Sequence, residues 1–503
     1  MCRNWGKDQM ISIHALMTGT PLFLLCASAL YIANFAIAIA IIYSERKDPG
    51  ATMAWILVLF LIPVLGICLY FFFSQNLSKR KIFKLTRDEK RVMTSALRSQ
   101  ERAIAEGSFN FTRFEETQWS DLIRLNQNYG QAYYTQDNSM DIITDGWTLR
   151  QELEEEIDKA EDYINIMFFI VKPDQIGKAF IAKLTEKARS GVTVRLLVDA
   201  LGSRHIGNRH VKEFRKAGGK FARFFPPALR IFQYVNPKLN FRNHRKLAVI
   251  DGKVAFIGGY NVAREYMGLK KKFGFWRDTH ARIRGGAVQD INYRFLLDWR
   301  ASYKEDIDLN SIFFRPDHDA GGAGMQIVSS GPDSDHEQVK RALLKMITGA
   351  RKRIFIQTPY FVPDAPILEA LKMAANSGVD VRIMIPKMPD HIFVYWATWS
   401  YCGDMLRNGG RVFIYDAGFL HSKTMTVDGE VSTIGSTNFD RRSFKLNFEC
   451  NAFIYDADEA VKMEEVFLND ADHGHELTSE MYGKRSLWIK IKEPISRLLS
   501  PVL

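Results

Sequence analysis

Two short motifs of histidine, lysine and aspartate recur in this chain 177 residues apart. Each has the form H-x-K-x4-D, and the residues are His244, Lys246 and Asp251 in the first copy and His421, Lys423 and Asp428 in the second. One such match would be weak, because short strings of common residues recur by chance. Two matches with the same spacing predict two copies of half a site that handles a phosphate group.

A pair of small residues and an asparagine follow both motifs at matching distances. These residues are Gly258, Gly259 and Asn261 in the first copy and Gly435, Ser436 and Asn438 in the second. Small residues let the backbone approach a ligand closely, and amide groups can hold charged oxygens. We therefore predict that Asn261, Asn438, Gly259 and Ser436 bind phosphate oxygens.

The residue types suit the displacement of a phosphodiester. Such a reaction needs a nucleophile, neutralisation of the phosphate charge and a protonated leaving group. Two histidines can divide the covalent work and the acid–base work, while Lys246 and Lys423 hold the non-bridging oxygens. No Asp-rich or His-x-x-x-His cluster suggests a divalent ion, so the sequence predicts catalysis without a metal or another cofactor.

Two carboxylates are candidates for orienting the imidazoles. Asp278 and Glu449 lie about thirty residues beyond their respective histidines. A carboxylate behind each ring would favour its charged form and fix its tautomer. An ordinary salt bridge is the alternative for both. The aspartates of the motifs, Asp251 and Asp428, are each followed by glycine, and this context favours structural support of a turn over direct chemistry.

The two motifs lie in similar local surroundings. In each copy an apolar run leads into Asp-Gly and a second one leads out, which is a hairpin signal. Alternation along a strand places the histidine and the lysine of one motif on the same face. Helices alternate with buried strands upstream of both motifs, and Ser190-Gly191-Val192 matches Ser377-Gly378-Val379. This pattern predicts an α/β architecture.

Two uncharged stretches near the amino terminus predict a helical hairpin in a membrane. They run from Ile11 to Tyr43 and from Ala51 to Phe73, and each exceeds the ~20 residues that a spanning helix needs. We expect Pro63 to kink the second helix without breaking it. A cleaved signal peptide is the alternative, but the first apolar stretch is too long for one.

The charge of the chain points to an anionic partner. The formal net charge is +11, and basic residues cluster after the second apolar stretch, at Lys79, Arg80, Lys81, Lys84 and Arg87. This cluster favours anionic lipid headgroups, with a solvated helix face as the alternative, and by the positive-inside rule it places the bulk of the chain in the cytoplasm. Five cysteines without paired or metal-like spacing predict a reduced chain free of disulfides.

The two motifs, with their trailing G-[GS]-x-N, resemble the phospholipase D superfamily over about 350 residues. Three further segments resemble bacterial cardiolipin synthases, namely Phe275 to His280, Thr358 to Asp364 and Gly435 to Glu449, and so does the amino-terminal hairpin. The resemblance implies two pseudo-symmetric phospholipase D-like domains, each a mixed β-sheet flanked by helices, after the transmembrane hairpin. We accordingly expect two transmembrane helices in residues 1–75, a charged amphipathic connector in 76–120, and the two domains in 121–316 and 325–503.

The implied reaction is phosphatidyl transfer between two phosphatidylglycerols, which gives cardiolipin and glycerol through a phosphatidyl-histidine. By the resemblance His244 is the nucleophile and His421 the acid and base, while the residues alone leave either order open. The implied location is the cell membrane, crossed more than once, with the catalytic part in the cytoplasm. The implied partners are phosphatidylglycerol and other anionic lipids, no nucleic acid is expected, and the oligomeric state stays open.

Three other functions fit parts of the sequence. A membrane-tethered nuclease would use the same site, but it predicts a basic groove with stacking aromatics. A hydrolytic phospholipase differs only in admitting water to the phosphohistidine, and a non-catalytic scaffold does not need an intact duplicated site. We also predict that one of two aromatic-rich segments, Leu229 to Val235 or Ile392 to Trp399, rims the site and admits acyl chains, with burial in the core as the default alternative.

Overall fold

The computed structural model describes residues 21–44, 49–73, 82–83, 85–226, 240–305, 307, 309 and 321–500. The chain divides into two compact units, which comprise residues 1–76 with 228–240 and residues 77–227 with 241–503. Three predicted features lie outside the described residues: the basic residues at positions 79–81 and 84, the aromatic segment from Leu229 to Val235, and most of the polar connector between the two apolar stretches.

The smaller unit consists of apolar helices in its described part. These are α1 (Pro21–Ser44), α2 (Pro49–Leu61) and α3 (Pro63–Phe73). Within α1, the segment Leu24–Tyr43 has the length and composition to cross a membrane, and it alone does so among the described helices. The structure therefore contains one candidate span where the sequence predicted two.

The second predicted span is divided at Ile62, so the expectation of a continuous kinked helix is wrong. The N–H of Ile62 still donates to the carbonyl of Val58 at 3.0 Å, and the N–H of Gly66 donates to Ile62 at 2.5 Å. Pro63 has no N–H to donate, and its ring conflicts with the carbonyl four residues earlier. The helical hydrogen-bond ladder is therefore interrupted at this point.

The larger unit alternates helices and strands, as the sequence predicted. Its helices are α4 (Arg87–Ala105), α5 (Phe114–Gln118), α6 (Ser120–Gly130), α7 (Gly146–Lys159), α8 (Gln175–Arg189), α9 (Lys212–Lys216), α10 (Ala287–Ser302), α11 (Gln338–Gly349), α12 (Ala365–Asn376), α13 (Ile392–Arg407), α14 (Arg441–Lys445), α15 (Ala457–Asp472), α16 (Ser479–Gly483) and α17 (Leu487–Leu498), with 3₁₀ turns at Asn208–Val211 and Arg264–Met267.

The strands of this unit form one large mixed sheet and two short two-stranded pairs. They are β1 (Tyr134–Ile143), β2 (Tyr163–Phe168), β3 (Thr193–Asp199), β4 (Lys220–Phe224), β5 (Arg242–Asn243), β6 (Leu247–Ile250), β7 (Val254–Gly258), β8 (Phe275–Arg277), β9 (His280–Arg284), β10 (Ala323–Ser330), β11 (Arg353–Gln357), β12 (Phe361–Val362), β13 (Asp380–Pro386), β14 (Arg411–Tyr415), β15 (Gly418–Leu420), β16 (Thr424–Val427), β17 (Val431–Gly435), β18 (Phe439–Asp440), β19 (Asn447–Tyr455) and β20 (Gly474–Glu476).

The large sheet repeats one strand order in its two halves. The first half runs β4-β3-β2-β6-β7-β9-β1, and the second runs β14-β13-β11-β16-β17-β19-β10 with β20 at its outer edge. The inner strands β1 and β10 pair antiparallel, with Tyr134 opposite Gln326, and they join the halves. In each half the motif hairpin, β6-β7 or β16-β17, lies beside parallel strands covered by helices. The predicted pseudo-symmetric α/β architecture is confirmed.

The predicted connector is helical, but it is not fully solvated. Helix α4 begins with a capping box in which the Thr86 side chain accepts from the Glu89 amide, and the Glu89 carboxylate accepts from the Thr86 amide. One face of α4 is buried: Leu97 and Ile104 are nearly inaccessible, and the Gln100 amide donates to the carbonyl of Tyr134 at 2.8 Å. The helix therefore belongs to the packed body of the larger unit.

Candidate active site

Each motif histidine lies between a short strand and the first strand of its own hairpin. Strand β5 precedes His244 and pairs in parallel with the start of β19, and β15 precedes His421 and pairs in parallel with β8. The His244 amide donates to the carbonyl of Phe448 at 2.9 Å, and the His421 amide donates to that of Arg277 at 2.6 Å. Each histidine of one half is therefore held by backbone of the other half.

The histidine–carboxylate pairs are crossed between the halves. The Nδ1 atom of His244 lies 3.0 Å from Oε1 of Glu449, and Nδ1 of His421 lies 2.5 Å from Oδ2 of Asp278. The structure places each of the two predicted carboxylates beside the imidazole of the other copy, so the expected pairing within one copy is wrong, and their orienting role stays a prediction. The reason is the strand pairing between the halves. Strand β19, which carries Glu449, pairs with β5 before His244, and β8, which precedes Asp278, pairs with β15 before His421.

The residues Gly259 and Ser436 support these carboxylates and do not line the cavity. A Cβ atom added to Gly259 would lie 1.9 Å from Oδ1 of Asp278, so only glycine leaves room for that carboxylate. At the equivalent position the Ser436 hydroxyl donates to Glu449. The backbone N–H groups of Gly259 and Ser436 donate to Thr279 and Cys450 within the sheet. Their amides are therefore occupied, which corrects the prediction that these two residues bind phosphate.

The two lysines hold the histidine backbone. The ammonium of Lys246 donates to the carbonyl of His244 at 2.6 Å, and that of Lys423 donates to the carbonyl of His421. Both side chains are almost completely buried. Burial lowers the pKa of Lys423 to about 8 against the opposing pull of Asp278, and burial lowers the pKa of Lys246 well below its ordinary value against Glu449.

The surroundings of both imidazoles favour the neutral ring. Burial and the charge of Lys423 together lower the pKa of His421 to about 4, against the opposing charge of Asp278. Burial also lowers the pKa of His244, against the opposing charge of Glu449. For both carboxyls burial acts to raise the pKa, but the neighbouring lysine and histidine outweigh it and the net shift is downward.

Neutral rings beside ionised carboxylates settle the tautomer. Each Nδ1–H donates to its carboxylate, so the lone pair of each ring is on Nε2. Aromatic neighbours also contact the two imidazoles. Phe169 packs edge-on against His244, with 5.0 Å between the ring centroids, and the ring centroid of Trp276 lies 5.2 Å from that of His421. Two oriented Nε2 atoms are suited to nucleophilic attack and to general acid–base catalysis.

Both histidines line one cavity of about 330 Å³. The two asparagines predicted to bind phosphate also line it. The carbonyl oxygen of Asn261 accepts from the amide of Ile170 at 2.9 Å, and the carbonyl oxygen of Asn438 is buried with no donor among the described residues. The remaining lining residues are Phe169, Ile170, Arg242, Tyr266, Trp276, Tyr360, Val362, Asp390, His391, Val394, Asp440, Arg442 and Asn447.

Three charged residues of this cavity were not predicted from the sequence, namely the cations Arg242 and Arg442 and the acid Asp440. Arg242 is 5 % exposed, and its Nε and Nη2 groups are buried with no acceptor among the described residues. Its nearest acid is Asp199, at 3.9 Å. Burial raises the pKa of Asp440 to about 6, although the Ser443 amide stabilises its ionised form. Alternation could have revealed Arg242, because it lies two residues before His244 and therefore on the same face of an extended chain.

The motif aspartates are turn residues. Asp251 and Asp428 have φ values of +51° and +58°, and the glycine after each also has a positive φ, as a type I′ hairpin turn requires. Each carboxylate accepts three backbone N–H groups, from residues 161–163 for Asp251 and from residues 351–353 for Asp428. They tie each hairpin to the start of β2 or β11. These contacts give Asp251 and Asp428 the structural role that the Asp-Gly context favours, so direct chemistry is not assigned to these two residues of the motif.

Replacing Asp428 with alanine is expected to destabilise the protein by about 3 kcal/mol, because three backbone donors lose a charged acceptor. The variant Asp428→Asn is the control, since its amide oxygen still accepts and asparagine tolerates a positive φ. Thermal melting in detergent measures the loss. A thousandfold fall in kcat with an unchanged melting temperature would contradict the structural role.

The chain was compared with known proteins. The model of the family described as "Cardiolipin synthase, PLD-like domain" matches residues 153–279 and 343–471, and the model described as "Phospholipase_D-nuclease N-terminal" matches residues 32–75. Both copies of the repeat therefore match one family, and a separate family matches the apolar amino-terminal segment.

Full-length relatives and a solved structure agree with these matches. The chain is 47% identical over 477 residues to the major cardiolipin synthase ClsA of Bacillus subtilis, covering 95% of this chain and 98% of that one. It is 46% identical over 473 residues to a cardiolipin synthase of Oceanobacillus iheyensis, covering 94% and 98%. The crystal structure of a phosphatidylserine synthase from Haemophilus influenzae is similar in fold, with a TM-score of 0.56 at 14% identity, over 76% of this chain and 100% of that chain.

Proposed function

Since the chain belongs to the cardiolipin synthase family, we propose that it transfers a phosphatidyl group from one phosphatidylglycerol to another, forming cardiolipin and releasing glycerol. The observation that supports this most is the crossed pair of histidine–carboxylate couples on one cavity. Such an arrangement offers two similar Nε2 atoms to a single phosphorus. In two successive displacements at one phosphorus, one of these nitrogens can serve as the nucleophile and the other as the acid and base.

In the first step Nε2 of His244 attacks the phosphorus of a phosphatidylglycerol. The new P–N bond replaces the P–O bond to the headgroup glycerol, and His421 gives its Nε2 proton to the departing oxygen. Glycerol leaves, and a phosphatidyl-histidine remains. Glu449 supports the imidazole of His244 as it gains positive character, as a carboxylate does in hydrolase triads.

In the second step the hydroxyl of another phosphatidylglycerol attacks the same phosphorus. His421, now neutral, takes the proton of that hydroxyl, the P–N bond breaks, and His244 is regenerated. The product is cardiolipin. Water in place of the hydroxyl would give phosphatidic acid, so the balance of transfer and hydrolysis depends on which acceptor occupies the cavity.

The acid in the first step has to be protonated, although burial holds the pKa of His421 at about 4. The negative charge of a bound substrate raises this pKa. A phosphodiester anion beside the ring favours the imidazolium and offsets Lys423, which lowers the pKa of His421 in its absence. Substrate binding is therefore coupled to protonation of the acid.

The proposal is tested by incubating the purified full-length protein with phosphatidylglycerol vesicles alone. We expect cardiolipin and glycerol in equal amounts. Phosphatidic acid as the main product would identify a hydrolase, and cleavage of a nucleic acid without lipid turnover would identify a nuclease. Neither lipid product under any condition would overturn the proposed function.

We further propose that Arg242 adds an anion-binding group to the cavity. Its two buried N–H groups, which have no acceptor in the described part of the chain, can donate to a phosphate oxygen, and a guanidinium stays charged where a lysine loses its proton. Arg242→Gln is expected to lower kcat/KM for phosphatidylglycerol about 10- to 100-fold, mainly through KM. Initial rates on vesicles measure this. The kcat/KM of Arg242→Lys should lie between those of the wild type and of Arg242→Gln. An unchanged kcat/KM in Arg242→Gln would show that Arg242 does not bind the substrate.

The family is membrane-associated, and we propose that the chain crosses the membrane twice with its catalytic part in the cytoplasm. Support comes from the apolar helix Leu24–Tyr43 and from helices α2 and α3, which together have the length of a second span. A tag after Leu503 should resist protease in intact cells and become accessible after lysis. Digestion of the tag in intact cells would show that the catalytic part has the opposite orientation.

A further inference from the structure

The carboxy-terminal helix α17 has its apolar face turned outward. Five large apolar residues of this helix are between 51 % and 80 % exposed, namely Leu487, Trp488, Ile491, Ile495 and Leu498. With 3.6 residues per turn they form one continuous stripe, which we call the outer face. A surface helix of a soluble domain directs such a stripe into the core, so α17 has the opposite orientation.

The polar face of α17 is the buried one. Glu493 is 4 % exposed and pairs with the guanidinium of Arg485, with Nε to Oε1 at 2.7 Å, and the hydroxyl of Tyr482 donates to it. Ser496 is also buried, and Arg497 pairs with Asp404 at 2.6 Å. These contacts fix the rotation of the helix about its axis. The outward direction of the apolar stripe is therefore set by the buried Arg485–Glu493 pair and by the other polar contacts of this face.

Helix α17 packs on α13, which connects it to the active site. The hydroxyl of Tyr401 in α13 bonds to Ser500, and the ammonium of Lys492 lies 5.4 Å from the ring centroid of Trp396. At the other end of α13, Val394 lines the catalytic cavity. Next to it, Ile392 and Phe393 are more than half exposed. None of the aromatic residues of this segment lines the cavity, so the aromatic rim stays a prediction, and the exposed apolar residues lie at the start of α13 beside Val394.

We propose that the outer face of α17 lies in the boundary between headgroups and acyl chains of a phospholipid bilayer and holds the catalytic domain against the membrane. Three features favour lipid as the occupant. Trp488 has the amphipathic ring that suits this boundary, and Lys490 and Lys492 flank the stripe where anionic headgroups lie. The helix also packs on α13, which lines a cavity whose proposed substrates are lipids. The inference rests on the proposed function for that last feature alone.

The depth of the outer face is measured on the full-length chain in phosphatidylglycerol nanodiscs. Cys2, Cys26 and Cys68 are replaced by serine, and Cys402 and Cys450 are buried thiols that stay. A spin label at Ile491→Cys should be relaxed by oxygen and protected from a water-soluble nickel chelate. A label at Val461→Cys is the matched control, because Val461 is an exposed apolar residue on α15, whose exposed face is otherwise mostly polar. This label should be accessible to the nickel chelate and relaxed less by oxygen.

Turnover supplies the second measurement. The double variant Ile491→Asp, Ile495→Asp should convert vesicle phosphatidylglycerol about tenfold more slowly and short-chain micellar phosphatidylglycerol at the normal rate. Val461→Asp should change neither rate.

Two outcomes overturn the docking proposal: a label at position 491 that is as accessible to nickel as the control, or one that is shielded from both relaxants, which would mean that protein covers the face. A wild-type chain that turns over neither lipid form would overturn the proposed function, and the depth measurement would still decide the docking.

Discussion

Replacing His244 or His421 with glutamine is expected to lower the rate of cardiolipin formation about 10⁴- to 10⁶-fold, because each ring performs a step that no neighbouring group can take over. Glutamine keeps a hydrogen bond to the carboxylate but has neither a nucleophilic nitrogen nor a titratable proton. The measurement is cardiolipin formed from phosphatidylglycerol vesicles. His205→Gln is the control, since His205 is exposed and does not line the cavity.

A phosphatidyl ester with a good leaving group separates the two histidines. p-Nitrophenolate departs without a proton, so His421→Gln should still release about one equivalent per active site as the phosphatidyl-histidine forms and then stall for want of a base. His244→Gln should release none. A rapid release (a burst) of p-nitrophenolate from His244→Gln, with none from His421→Gln, would show that His421 is the nucleophile and His244 the acid and base.

The sequence was informative for features that depend on residues close together in the chain. The repeated spacing of H-x-K-x4-D and the alternating strand pattern predicted that His244 and His421 belong to one duplicated site, and both line the same cavity. The Asp-Gly pairs predicted the turns at Asp251 and Asp428, because a positive φ at two successive residues has a recognisable signature.

The crossing of the carboxylates was beyond the reach of sequence patterns. Asp278 and Glu449 were found as candidates, but their distance along the chain says nothing about which histidine segment pairs with β8 or β19. Two similar halves make the exchanged and the unexchanged arrangements equally compatible with the periodicity. The choice depends on tertiary packing, for example on buried Arg277, whose guanidinium reaches Asp470 in the other half at 2.8 Å.

Helix α17 illustrates the same limit. Its sequence shows an amphipathic period, and from that period alone the apolar stripe would be assigned to the core. The ion pair between Arg485 and Glu493 and the burial of Ser496 turn the polar side inward. Which face of an amphipathic helix is buried is a property of its partners, and these are distant in the chain.

Glu449→Gln and Asp278→Asn are each expected to lower kcat about 10²- to 10⁴-fold while leaving the fold intact, by analogy with the loss of an orienting carboxylate in other histidine-based sites. The amide can present its N–H to Nδ1, which favours the tautomer with its lone pair on the wrong nitrogen. Because the pairs are crossed, Glu449→Gln should suppress the p-nitrophenolate burst that depends on His244. Asp278→Asn should leave the burst and slow the second step.

The pH profile distinguishes this role from a purely structural one. His421 acts as an acid in its protonated form, so its contribution is present below its pKa in the complex and is lost as the pH rises through that value. Asp278 raises the pKa of His421. Its replacement by asparagine therefore moves the alkaline limb of the kcat profile to lower pH, whereas a variant that is merely less stable keeps the wild-type limb at reduced height. An unshifted limb in Asp278→Asn would contradict the orienting role of Asp278, and a burst lost in Asp278→Asn and kept in Glu449→Gln would show that each carboxylate serves the histidine of its own half.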